Sequence, residues 1–497
     1  MLKITKENYF YNIFIFIALF TCPVIVLAPV GSWVPVILSA VLISLYSRVI
    51  FLKFSINNIH ITIITAFLWI AFSIIFIGKN LQVLEKFFHL SFLILSGFIV
   101  SLALLNNPNF KKIVIIFSTS FIFSTLLIII DIKTNLGLKL WLSKNFDFSN
   151  FENIYKFKNW ISFNNFKTQY YDLIRSYNHN TYNRGVIGLT ILSWPLFALC
   201  FLYNYKVSAY IILVFSCMLT ISTLNFSVIL CHIVSLSFGA IYFMKQDIFK
   251  KYFLWFFGLY FITCPFILGQ LDYKKFSKYE TDLLQKKNNL FSDYCQKTSG
   301  ASMYYKMNKL VLVLSCNEDN EKKKKYSRND FLHQSENDVE KIKLFLKFKI
   351  YNTASNKLHR LIIWSFSKEK IIEKPFLGHG FYSSRYIASE MKKTKNKTNY
   401  QLIPLHPHNS ILQIWLELGA VGVIIFFIFI KKLLNKIYRY DEKNHYIATI
   451  TIISFFQIFT IGQISFGFWQ PWWIGLILIN YILYKFIFSY FKFNEPQ

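Results

Sequence analysis

The stretch L-H-P-H-N-S-I-L-Q-I-W-L-E-L-G-A-V-G, from Leu405 to Gly422, sets two histidines and an asparagine where a polar loop gives way to an apolar helix. At 3.6 residues per turn that helix is expected to run about five turns before Lys431 and Lys432. A His-Pro-His-Asn cluster at such a boundary meets water on one side and lipid on the other. The apolar run is long enough for a bilayer, and similar runs recur along the chain. That recurrence decides the fold class.

With 54% apolar and 19% aromatic side chains in 497 residues, the composition is not that of an ordinary globular protein. About twelve apolar blocks of roughly 18–22 residues are each long enough to cross a hydrocarbon core as a helix. The expected architecture is an all-α integral membrane protein of about twelve transmembrane helices. The first five spans fall in residues 1–130, four in 185–269 and three in 406–497. Two polar loops, 131–184 and 270–405, separate these groups, and the second carries amphipathic helices and an insertion at 286–349. The opening M-L-K-I-T-K-E lacks a small-residue cleavage site nearby, so the first block reads as a span and not as a removed signal peptide.

The net charge of +29 does not point to nucleic acid, because apolar blocks interrupt the lysines. Basic clusters beside membrane spans are the commoner cause. Lys3 and Lys6, Arg48 and Lys53, Lys111 and Lys112, Lys206, Lys245 with Lys250 and Lys251, and Lys431 through Lys443 alternate with turns that carry few positive charges. This pattern predicts that both termini and these clusters are cytoplasmic, with both long loops outside.

The first long loop mixes aromatics such as Trp141, Trp160 and Tyr170 with lysines, which suits an interfacial lid or a plain loop. The 286–349 insertion holds Lys322–Lys325, a run for anionic headgroups or for solvent alone. Cys295 and Cys316 allow a disulfide or two thiols. From Thr353 to Ile372 the spacing of Leu358, Leu361, Ile362 and Phe366 predicts an amphipathic helix at the membrane surface. Pro375 ends it, and P-F-L-G-H-G-F follows with Gly378 and Gly380 as turn points.

Three positions on the expected outer side carry the most chemistry. Arg184 stands at the mouth of the sixth span, Arg360 on the amphipathic helix and His408 at the start of the tenth span. Two guanidinium forks match phosphate oxygens and can stabilise a departing diphosphate. An imidazole can take a proton from an attacking hydroxyl. Each has a plainer role open to it: headgroup snorkelling for Arg184, interface anchoring for Arg360 and helix capping for His408. His406 competes with His408, and His379, between two glycines, is a weaker rival. Asn409 can cap the helix or bind a glycan hydroxyl. Glu417, about two turns deeper, is costly there unless paired, and is open to pairing with a basic side chain or to holding a polar network. The sequence shows no phosphate-cradling G-x-x-x-x-G-K-[ST] loop and no tidy Cys/His metal spacing.

His408-Asn409, followed nine residues on by G-A-V-G at Gly419–Gly422, resembles the signature of the O-antigen ligase and Wzy polymerase superfamily. The segment E-K-P-F-L-G-H-G-F at 373–381 is similar to its P-x-x-G-x-G turn, R-L-I-I-W at 360–364 to its arginine segment, and Asn183-Arg184-Gly185 to its first arginine region. A departure is I-S-T-L-N-F at 221–226, where Asn225 takes the approximate place of another arginine. The resemblance implies an inverting glycosyltransferase of the inner membrane, acting at the periplasmic face without a metal or cofactor. Its donor would be an undecaprenyl-diphosphate-linked glycan. Arg184 and Arg360 would hold the diphosphate and His408 would handle the acceptor hydroxyl, with Asn409, His406 and His379 nearby. The acceptor stays open between lipid A–core, a second lipid-linked glycan and a protein hydroxyl. About twelve spans with a large last outer loop favour the first. A lipid-linked glycan transporter is the rival of a different class.

Overall fold

The computed structural model describes residues 6–47, 58–77, 81–103, 110–134, 182–223, 225–270, 305–306, 309–310, 360–387, 403 and 405–493. The lid loop, the lysine run, Cys295, Cys316 and Leu358 lie outside them. The helices are α1 (Lys6–Leu27), α2 (Val34–Ser47), α3 (Asn58–Ile77), α4 (Leu81–Ala103), α5 (Lys111–Lys133), α6 (Asn183–Leu202), α7 (Lys206–Thr223), α8 (Phe226–Met244) and α9 (Gln246–Leu268). After α10 (360–373) come α11 (Ser410–Asp441), α12 (His445–Ile464) and α13 (Pro471–Phe493). Among the described residues, ten helices are long and apolar enough to cross a membrane, and the segments Tyr11–Leu27 and Pro29–Leu45 are apolar but shorter. The chain is an all-α, multi-pass membrane protein. Its described strand content is one antiparallel pair, Tyr305–Lys306 with Lys309–Leu310.

The chain divides into two compact units. One comprises Met1–Lys167, Asn178–Cys264 and Ile371–Gln497; the other comprises Thr168–Tyr177 and Pro265–Lys370. In the second, Ile362 and Phe366 of α10 are buried as their spacing predicts, Leu361 is half-buried, and Ile363, outside the expected face, is buried as well.

Within the first unit, burial separates inner helices from outer ones. The apolar windows of α6, α12 and α13 are 78%, 72% and 67% buried, against 22% for α3 and 28% for α7 and α8. The outer helices turn large side chains such as Leu68, Phe76 and Ile221 outward, which suits hydrocarbon as solvent. Aromatic packing joins the elements. Phe238 of α8 stacks on Phe456 of α12 at 4.0 Å, and Phe253 and Phe257 of α9 pack on the same helix.

Helix alternation puts the starts of α6, α8, α11 and α13 at one end of this unit. The expected basic clusters fall at the other. There Asp441 accepts from Lys250 at 2.7 Å and contacts His445 Nδ1 at 2.6 Å, while His445 Nε2 meets the Phe243 carbonyl at 3.1 Å. One buried carboxylate thus ties together the ends of α8, α9, α11 and α12. Asp441→Asn keeps the shape but leaves Lys250 without its counter-charge. It should destabilise the protein by about 1–2 kcal/mol, since Lys250 is partly solvated, measured as a lower unfolding midpoint in detergent.

Candidate active site

The tenth expected span departs from its sequence reading in two ways. It does not stop at the two lysines, because α11 continues to Asp441, and it is broken at Gly419. There φ is 65° and ψ is −166°, a region essentially reserved for glycine. A break deep in a membrane span leaves backbone groups without helical partners, and each must find another. The turn after Pro375 supplies most of them. His379 N–H donates to the Leu416 carbonyl at 2.8 Å and Gly380 N–H to that of Glu417 at 2.9 Å. In return, Ala420 N–H donates to the Pro375 carbonyl at 2.8 Å. Trp69 of α3 donates its indole N–H to the Leu418 carbonyl at 3.2 Å.

This docking explains Gly378 and Gly419. A Cβ on Gly419 would sit 2.2 Å from the Phe376 carbonyl oxygen, and one on Gly378 would sit 2.5 Å from the Glu417 carbonyl. Two backbones touch with no room for a side chain. Gly419→Ala should cost at least about 2 kcal/mol from backbone strain alone; a shift of the thermal midpoint checks this, and an unchanged midpoint contradicts the contact.

Glu417 is the anchor of the same junction and is completely buried. Four groups donate to it: Tyr382 N–H at 2.7 Å, Ser384 Oγ at 2.7 Å, Gln413 Nε2 at 2.9 Å and Trp469 Nε1 at 2.6 Å. Its partners are therefore neutral donors from three segments, the polar network that its depth demanded, and not a basic side chain. Gln413 passes the connection on, accepting from Phe468 N–H at 2.7 Å.

The histidines sit at the start of α11. Asn409 caps the helix, its Oδ1 accepting from Leu412 N–H at 3.0 Å while its Nδ2 donates to the Gln463 carbonyl at 3.2 Å. Both ends of its amide thus serve the fold. His408 has φ of 55°, a conformation a side-chain-bearing residue adopts at a cost. Its Nδ1 lies 3.1 Å from the Ser465 carbonyl, a partner that can only accept. The Nδ1 therefore carries the proton in the neutral ring, leaving Nε2 as the acceptor nitrogen.

His406 is the more buried histidine, with its ring centre 4.3 Å from that of His408. Its Nδ1 accepts from His408 N–H at 3.2 Å and its Nε2 lies 3.1 Å from Gln470 Nε2. Burial above all, then the nearby His408 and Arg385, push its pKa down to about 3. The unfolded imidazole protonates near 6.5, so between about pH 6.5 and 3 the unfolded chain binds the extra proton. Stability should fall as pH drops through that window. His406→Gln should flatten the fall, which the pH dependence of the unfolding midpoint reports.

Arg184 is reached through the same network. Its guanidinium lies over the Trp472 ring at 5.6 Å, and Trp472 Nε1 donates to Gln470 Oε1 at 2.7 Å. Gln470 then meets His406. Arg184 lies in the first turn of α6, one residue inside the helix and not before it. Next to it, Asn183 accepts from Asn225, the cap of α8, whose own Oδ1 takes the N–H groups of Ser227 and Val228. Ser227 reaches Ser465, the residue whose carbonyl holds His408. Arg184, His406, His408 and Asn409 therefore gather at one end of the first unit. His379 lies in the turn against α11, half-buried. Arg360 belongs to the second unit. Sequence reading passed over Gln470, Trp472, Ser465 and Trp469. They lie in I-S-F-G-F-W-Q-P-W-W, where Gly467 and Pro471 as turn residues among clustered aromatics are the signal.

Residues 208–427 match the O-antigen ligase family. In sequence that region includes Arg360, the Pro375–Gly380 turn, His408 and Gly419, and it supports placing the chain in the O-antigen ligase superfamily. Proteins provisionally named polysaccharide ligase are similar over part of their length. One from Rickettsia conorii is 44% identical over 133 residues, 26% of this chain and 32% of the relative. Relatives from Rickettsia felis and Rickettsia prowazekii are 43% and 40% identical, with the same shares covered. The matched part is thus about a third of each relative. No solved structure matches the chain.

Proposed function

We propose that the chain transfers a glycan from undecaprenyl diphosphate to an acceptor hydroxyl at the periplasmic face of the inner membrane, with both its termini in the cytoplasm. We take lipid A–core as the acceptor, as in O-antigen ligation; the name polysaccharide ligase carried by the similar proteins favours ligation over polymerisation and names no acceptor. The observation that carries the reading is the oriented histidine. His408 Nδ1 is held by the Ser465 carbonyl, and Arg184 stands three side chains away, through Trp472, Gln470 and His406.

In this mechanism the acceptor oxygen attacks the anomeric carbon opposite the bond to diphosphate, so the configuration inverts. The acceptor proton passes to His408 Nε2. The bond from anomeric carbon to diphosphate breaks, and the leaving group keeps its electron pair. Arg184 binds the charge that develops; for Arg360 the same role rests on the family resemblance alone. Arg184 is well placed for an anion because α6 has no side-chain cap at its N-terminus, where helix N–H groups favour negative charge. Neutral His406, too hard to protonate to act as an acid, positions His408. Asn409 holds the helix start.

The test is transfer by purified, reconstituted protein from undecaprenyl-diphosphate glycan, with lipid A–core and a second lipid-linked glycan offered separately. Product on lipid A–core is expected, and chains lengthening on the carrier would make the protein a polymerase instead. His408→Ala should lower turnover by about a hundredfold or more, and Arg184→Gln should weaken donor use. Full turnover by His408→Ala would remove the histidine from the chemistry. No transfer with any acceptor would return the transporter reading.

A further inference from the structure

An apolar cavity of about 390 Å³ lies between α3, α4, α11, α12 and α13. Phe87, Phe381 and Trp469 line one end, and Lys436, Tyr484 and Phe488 the other. It therefore follows most of α11, a helix of 32 residues and about 48 Å at 1.5 Å per residue. That is enough to run through a hydrocarbon core of about 30 Å.

Two cations stand at the active-site end of this cavity, next in sequence to lining residues. Lys86 precedes Phe87. Arg385 follows Phe381 by one turn of chain. Both lie over the ring of Tyr382, the ammonium at 5.8 Å and the guanidinium at 4.8 Å from its centre. They are close enough to repel each other, with Glu85 offsetting part of the charge on Lys86. Arg385 also acts on His406 through its charge. The platform is held in place: Tyr382 has φ of 66° and its N–H donates to Glu417. The Tyr386 hydroxyl donates to Gln82 Oε1 at 3.1 Å, joining this segment to the start of α4.

Two cations sharing one ring, beside lining residues at one end of a long apolar cavity, suit a lipid with an anionic head. Cations held face-on to an aromatic ring keep their N–H donors available to phosphate oxygens. We propose that Lys86 and Arg385, displayed on Tyr382, grip the phosphate headgroup of a lipid whose chain occupies the cavity. This rests on the reading that the protein works on lipid-linked glycans, and assigns the headgroup a second contact besides Arg184.

Full-length protein in detergent, titrated with undecaprenyl diphosphate, lipid A or undecaprenol and followed by native mass spectrometry, tests this. The Lys86→Gln/Arg385→Gln variant should bind a phosphate-bearing lipid at least tenfold more weakly, with undecaprenol binding unchanged. Ala66→Trp, which fills the cavity, should weaken both. Arg385→Gln alone, at an exposed position, should show a smaller loss and guards against misfolding of the pair. Lys206→Gln, at the opposite end, should bind as wild type. A loss for undecaprenyl diphosphate is the expected result, and a loss confined to lipid A overturns the assignment of this headgroup to the donor. Wild type that binds phosphate lipids while Arg385→Gln and the double variant bind them equally well overturns this inference alone. Wild type that binds none overturns the transfer reading with it.

Discussion

Most of the candidate site depends on one backbone contact inside the apolar layer, the meeting of the Gly378 turn with the broken helix at Gly419. A helix interrupted at this depth exposes carbonyl and amide groups that hydrocarbon cannot satisfy. The Pro375–Gly380 turn satisfies them and is thereby fixed against α11. Glu417, two residues before the break, completes the junction by taking four donors at once. Because those donors come from the 382–384 segment, α11 and the 465–470 turn, one carboxylate sets where all three stand.

From that junction the geometry passes outward to the histidines. The turn between α12 and α13 provides Ser465, whose carbonyl orients His408, and Gln470, which touches His406. Trp472, two residues on, carries Arg184. Residues from four helices and two turns therefore share one short, largely buried network. Strain marks the same places: His408, Tyr382 and Gly419 all have positive φ, and each is held by neighbours on other segments.

The motifs had different fates when the structure placed them. The histidines, Asn409 and Arg184 came together as their common side of the membrane implied. Asn409 turned out to spend its amide on capping, a use that a helix start invites. Gly378 and Gly419 were legible only as a turn point and as part of a motif. That they exist so two backbones can touch was not, because the partners Phe376 and Glu417 lie forty residues apart in the chain. The positions of Lys86 and Arg385 were not singled out at all, since each is an ordinary basic residue until Tyr382 brings them over one ring.

The amino-acid sequence alone determined the helical membrane fold, the order of its apolar blocks and the chemistry-bearing residues at the head of α11. Those properties come from local quantities: the length of apolar runs, the alternation of charged turns and the types of side chain at a polar–apolar boundary. The length of α11 beyond its lysines, its break at Gly419, the partners of Glu417 and the orientation of both imidazoles were decided by tertiary structure. Each is settled by which distant group answers a buried donor or acceptor, and hydropathy and spacing carry no record of that pairing.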